Sequence, residues 1–198
     1  DELDGETPDG KVHVPFGDIS AIRKYQGGAL VTLKSGKDLH MKGTNDVNWQ
    51  NRGIVVIVPR LGSVRIGWND FDGVRFSDAP DAGRGYSEFA KGSDLMGTVV
   101  TPKGRHEGRI VFDLDESWDF ELLHGKNHST EYLIAFRDIQ RIRREGTRRS
   151  LVDLRMGLTI ELEGSQDVSR RNDGLLVFEG AAKPKYIDWA EVNEVVFR

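Results

Sequence analysis

Cysteine is absent from this chain of 198 residues. That single absence excludes disulfides, thiol catalysis and thiolate metal sites. It is equally compatible with the cytoplasm and with export. Long apolar runs are missing too. The run Ile54–Val58 has five residues and none is longer, far short of the roughly 20 that a membrane-spanning helix needs. Charge is balanced: 28 Lys and Arg stand against 32 Asp and Glu, a net −4. No basic field gathers nucleic acid, so a nucleic-acid partner is not expected. The chain also has no Walker loop, no dinucleotide glycine fingerprint, no Gly-x-Ser-x-Gly elbow and no His-Glu-x-x-His pair. These absences weigh against catalysis, and no cofactor or metal is expected.

What is present is a repeat. A nine-residue pattern recurs: aliphatic, any, aromatic, any, acid, apolar, any, any, aliphatic. It runs from Val14 through Phe16 and Asp18 to Ile22, from Ile66 through Trp68 and Asp70 to Val74, from Ile134 through Phe136 and Asp138 to Ile142, and from Ile187 through Trp189 and Glu191 to Val195. A longer correspondence pairs these in twos. At an offset of 121, Leu30, Gly36, Asp46, Asn51, Gly53, Trp68 and Phe76 recur as Leu151, Gly157, Asp167, Asn172, Gly174, Trp189 and Phe197; at 120, Phe16, Asp18 and Ile22 recur as Phe136, Asp138 and Ile142. Glycines held in register over most of a unit point to internal duplication.

The pattern has a physical reading. Val14 and Phe16 are two apart, so they share one face of a strand. The acid is placed to accept from free amides of a short helical turn. Ile19 and Ile22 then lie on one side of that turn, and the four signature aromatics, Phe16, Trp68, Phe136 and Trp189, are expected in the core. Strand, single turn, strand is the joint that small SH3-like barrels use between their last strands; the comparison is of fold shape alone. Ala29–Leu33 and Asp38–Lys42, and likewise Ser150–Leu154 and Leu158–Leu162, alternate around Gly36 and Gly157 and read as hairpins. Gly97–Thr101 and Glu107–Phe112 form another. No segment keeps a helical period for three turns. The fold class expected is all-β, with tandem duplicated SH3-like or barrel-like units and single-turn helices.

The domains expected are 1–79 and 94–198, with 80–93, which holds Pro80, Gly83, Gly85 and Gly92 and keeps no clean period, as linker. Domain one has no counterpart of the hairpin Gly97–Phe112. The expectation is that the chain begins inside a repeat and that a precursor carries roughly thirty more residues resembling Gly97–Trp118 after an export signal. An open sheet edge in domain one would follow.

Several residues invite a chemical reading. Asp18, Asp70, Asp138 and Glu191 recur at one local position, as structural caps do, whereas an active site converges different groups. The segments 43–53 and 164–174 match and read as Asx-type turns or a ligand loop presented twice. The acidic stretch Asp113–Glu121 has oxygens for a hard cation such as Ca²⁺ but lacks the glycine and spacing of an EF-hand, so a solvated turn is expected. Trp118 within it is either core or a stacking platform for a sugar. His124 and His128 flank Gly125-Lys126-Asn127 and read as a hairpin tip rather than a zinc pair. Arg141, Arg143, Arg144, Arg148 and Arg149 crowd one segment; they suit an anionic polymer, or a charged edge that blocks wrong strand pairing.

Together these features predict a non-catalytic interaction or scaffold protein of tandem β repeats. Its partner would be a protein or polysaccharide not identified by the sequence, with oligomerisation through an open edge as a further route. One alternative is a binder of anionic polymer, polysaccharide or nucleic acid, through the five arginines and Trp118. The other is a hydrolase with a cleft between the domains. An exported location, periplasmic or extracellular, is favoured.

Overall fold

The computed structural model describes residues 2–77, 92–180 and 183–198. The expected linker, 80–93, lies almost wholly outside the described residues. Eighteen strands run in chain order: β1 (Glu2–Thr7), β2 (Gly10–Pro15), β3 (Ile19–Tyr25), β4 (Gly28–Leu33), β5 (Asp38–Met41), β6 (Ile54–Val58), β7 (Gly62–Ile66), β8 (Gly73–Arg75), β9 (Met96–Thr101), β10 (Gly104–Phe112), β11 (Leu122–Asn127), β12 (Thr130–Ala135), β13 (Ile139–Glu145), β14 (Arg149–Leu154), β15 (Thr159–Glu163), β16 (Leu175–Phe178), β17 (Lys185–Ile187) and β18 (Glu194–Phe197). Among the described residues helix is confined to single 3₁₀ turns at Phe16–Asp18, Phe136–Asp138 and Trp189–Glu191. The protein is all-β and every pairing is antiparallel. Among the described residues the strands close no barrel.

The chain divides into two compact units. The first takes in the described residues of Asp1–Ile54 and Ile66–Phe89, the second those of Val55–Arg65 and Ala90–Arg198. The hairpin β6–β7, encoded by the first sequence repeat, therefore belongs to the second unit. There β7 pairs with β12 through Arg65↔Glu131, Val64↔Tyr132 and Ser63↔Leu133.

Strand order in the first unit is β8-β3-β4-β5, continued to β1-β2 by the bridge Glu6↔Lys42. In the second it is β18-β13-β14-β15-β11-β12, preceded by β17-β16-β10-β9. The registers agree as well. Ile22 faces Val31 and Val74, as Ile142 faces Val152 and Val195, and both β3–β4 and β13–β14 shift register just after their first residue. Gly36 and Gly157 close their hairpin turns at φ +86° and +89°, a conformation open to glycine.

Each unit buries its own core. In the second, Phe112, Phe136, Trp189 and Phe197 form an aromatic cluster with ring centroids 5.3 to 5.6 Å apart. In the first, Leu3, Ile19, Ile22, Val31, Met41 and Trp68 are buried. Three signature aromatics, Trp68, Phe136 and Trp189, are thus core, as the pattern leads one to expect. Phe16 is not: it is 39% exposed, against 1% for Phe136. The reason is packing. Phe136 lies against Phe112 of β10, and among the described residues of the first unit no strand occupies the place of β10.

The expected capping role of the acids is also corrected. The turns at Phe16–Asp18 and Phe136–Asp138 have no side-chain cap bond, and the third turn is capped by Asp188, whose carboxylate accepts from the Ala190 amide, not by Glu191. What repeats is a backbone contact: the Asp18 carbonyl accepts from Lys34 N, and the Asp138 carbonyl from Arg155 N, at 2.8 and 2.9 Å.

The asymmetry predicts unequal stability effects. Phe136→Ala is expected to cost about 3–5 kcal/mol, because it empties a filled core site. Phe16→Ala at the matching position is expected to cost less than about 1 kcal/mol, the range of exposed sites. Urea denaturation followed by circular dichroism checks the contrast; equal costs would contradict the packing difference.

Candidate interaction surfaces

The turns that hold the first strands in place come from the matched polar segments. The Asp46 carboxylate accepts from Asp4 N at 2.9 Å, and Asp167 from His124 N at 2.6 Å. Asn51 donates to the Asp46 carbonyl and accepts from Gly53 N; Asn172 does the same with Asp167 and Gly174. Thr44 donates to the Asp4 carbonyl as Ser165 does to His124. These side chains satisfy backbone groups of β1 and β11 and are structural.

The five arginines are largely committed within the protein. Arg141 Nε and an Arg143 guanidinium nitrogen bond the two oxygens of Asp153 at 2.7 and 3.0 Å, and Thr159 donates to the same carboxylate. Burial works to raise the Asp153 carboxyl, but these hydrogen bonds hold it below its usual range. Arg144 donates to the carbonyls of Val192, Gly146 and Ala190, and Arg149 reaches Glu161 at 3.2 Å. Arg148 instead borders a hollow of about 280 Å³, together with Arg170, Arg171 and Glu163.

The same place in the first unit holds a hollow of about 370 Å³ lined by Tyr25, Trp49 and Trp68. Trp49, at the position of Arg170, is 78% exposed. Sequence reading passed over it as part of a turn. The signal lay in the repeat itself, where a large aromatic replaces a cation at one loop position. Trp118 is neither core nor isolated: it is half exposed and stacks on Phe120, with centroids 6.1 Å apart and planes at 18°.

The outer faces of the two units also differ. In the second, Arg141, Asp153, Thr159 and Glu194 fill the surface beside β18. At the matching positions the first unit has Ala21, Thr32, Asp38 and Gly73. Thr32 donates to Asp38 at 2.6 Å, and a hollow of about 890 Å³ opens beside β8. On the inner side of β8, Phe16 and Phe76 meet edge-to-face at 6.1 Å. Phe76 is 41% exposed, whereas Phe197 at its place in the second unit is 5% exposed. Sequence reading missed this surface because it assigned the signature aromatics to the core.

The acidic stretch is a largely exposed turn except at its first residue, which is buried. Left-handed backbone at Asp113 and Leu114, φ 51° and 65°, turns Asp113 inward, where it is buried and accepts from Asp173 N. Asp113, Asp115 and Glu116 offer oxygens within 4.8 Å of one another, the groups that would hold a hard cation. Burial pushes the Asp113 carboxyl up to about 6 and that of Glu116 up to about 9, the latter helped by a hydrogen bond to Asp115 and by the charges of Asp115, Asp167 and Asp113. Burial and the neighbouring carboxylates thus favour the protonated form of Glu116. Histidine–carboxylate pairs occur at His13–Asp4, His106–Glu179 and His124–Glu131. No hydroxyl completes any of them among the described residues. His128, at φ 53°, sits in the tip between β11 and β12.

Comparison with known proteins finds no matching family model, no matching curated protein and no matching solved structure.

The carboxyl cluster predicts a pH dependence. Because the folded-state value of Glu116 lies above its ordinary 4.5, the stability it contributes is complete below that value and lost as pH rises towards 9. Asp113 acts likewise between 3.8 and about 6. Stability is therefore expected to fall between about pH 5 and pH 9. Glu116→Gln, which keeps a neutral side chain throughout, is expected to flatten the fall and to exceed the parent at the alkaline end by about 1–3 kcal/mol. Thermal melts across that range check it; parallel profiles would contradict it.

Proposed function

We propose that this chain is a non-catalytic interaction module built from two SH3-like β units, and that the first unit docks a polypeptide along β8. The observation that carries the reading is the contrast between equivalent positions. Phe16 and Phe76 lie open beside β8, while Phe136 and Phe197, at the same places around β18, are sealed by a hairpin. β8 is paired on one side, by β3, and its other edge has free backbone groups among the described residues. An unpaired edge flanked by aromatic side chains is a site for strand addition. The shared strand order, registers and strand–turn–strand joints support the SH3-like, duplicated reading of each unit.

The alternatives have less behind them. An anionic polymer would meet Arg148, Arg170 and Arg171, since Arg141, Arg143 and Arg149 pair with acids and Arg144 spends its donors on carbonyls. A hydrolase would need a nucleophile beside one of the histidine–carboxylate pairs.

A dye that fluoresces on exposed apolar surface, such as 1-anilinonaphthalene-8-sulfonate, tests the docking surface. The parent chain is expected to bind it, and Phe16→Ser with Phe76→Ser to lose most of the signal, about fivefold or more, with little change in melting temperature, because both side chains are already half in water. A parent chain that leaves the dye dark would remove the basis of the proposal.

A further inference from the structure

The second unit contains a template for what covers the first. β9 pairs with β18 through Val99↔Val195, Thr98↔Val196 and Gly97↔Phe197. β10 turns back along β9. Its Ile110 and Phe112 are fully buried, and Phe112 packs on both Phe136 and Trp189 at 5.3 and 5.6 Å. Gly97 is dictated by the approach of the neighbouring strand: a Cβ there would stand 2.3 Å from the Val196 carbonyl. Shifting by 121 residues carries Val195, Val196 and Phe197 onto Val74, Arg75 and Phe76, and Trp189 onto Trp68. All the acceptor positions are present in the first unit, and the same inner pairing to β3 holds them in place.

We infer that the edge of β8, free among the described residues, accepts in trans a two-stranded β-hairpin with the apolar pattern of β9 and β10. The pattern is specific: glycine opposite Phe76, a β-branched residue opposite Val74, and aliphatic-x-aromatic on the returning strand, with the aromatic ring closing over Phe16 and Trp68. This rests on the docking reading above and adds the occupant and its register. A second copy of the chain fits less well. A junction between copies with the pairing of β7 and β12 would bring Tyr186 and Lys11 to the places of Arg65 and Glu131, losing the ion pair that those residues make at 3.1 Å.

The test uses the full chain and a synthetic peptide with the sequence of residues 94–118. Hydrogen exchange is read at β8 and Ser77, and at β18 and Arg198, whose amide bonds Met96 in the second unit. The peptide is expected to slow exchange at β8 and Ser77 about tenfold or more, leaving β18 unchanged. Peptides carrying Phe112→Ser or Gly97→Val are expected to bind at least about tenfold more weakly. Protection at β18 alone, equal binding by all three peptides, or no protection at β8 would overturn the inference. So would concentration-dependent protection of β8 without peptide, which would make a second copy the occupant. A chain that binds the dye and refuses the hairpin would still have a docking surface, with an occupant of different shape.

Discussion

The second unit depends on one contact. Phe112, at the end of β10, packs between Phe136 and Trp189 and joins the hairpin β9–β10 to the core. A strand hairpin added to an edge satisfies two demands together: it pairs the backbone of β18 and it covers the aromatic face beneath. Where that hairpin is present, Phe136 and Phe197 leave water. In the first unit, which lacks its counterpart among the described residues, Phe16 and Phe76 do not. The difference between the units is less one of residue type than of which neighbour is there.

The same logic extends to β6. Its counterpart β16 lies between β10 and β17, and Val177 on it is fully buried. β6 is the terminal strand of its sheet, and Val56, at the place of Val177, is 38% exposed. β6 carries no charged residue, which is unusual for an exposed edge, since charge is what ordinarily prevents stray pairing. Polar groups elsewhere follow the opposite course. Both oxygens of Asp153 are bonded by arginines, and Asp46 and Asp167 each accept from a backbone amide, so these charges serve the fold.

The two units differ most in their surface side chains. Substitution of Ala21 and Gly73 for Arg141 and Glu194 empties the outer face beside β8, and Trp49 in place of Arg170 changes a basic hollow into an aromatic one. Supporting turns with the same bonds in both units leave such surface positions free to differ, because the backbone bonds from Asp46 and Asn51, or Asp167 and Asn172, hold each unit regardless.

Sequence by itself determined the all-β class, the hairpins around Gly36 and Gly157, the strand–turn–strand joints and the register that relates the two halves. These are local or periodic properties: alternation sets the buried face, and glycine marks the turns. The tertiary structure decided what no periodicity carries. Phe16 and Phe136 occupy the same place in the same motif, yet one is exposed and the other buried, because burial belongs to the neighbours and not to the residue. Asp113 points inward because two left-handed residues turn it there, and Arg141, Arg143, Arg144 and Arg149 are spent on partners within the protein, Arg144 on a carbonyl 48 residues away in sequence. Long-range packing assigns each side chain its surroundings, and at this protein's surface those surroundings separate a structural group from an available one.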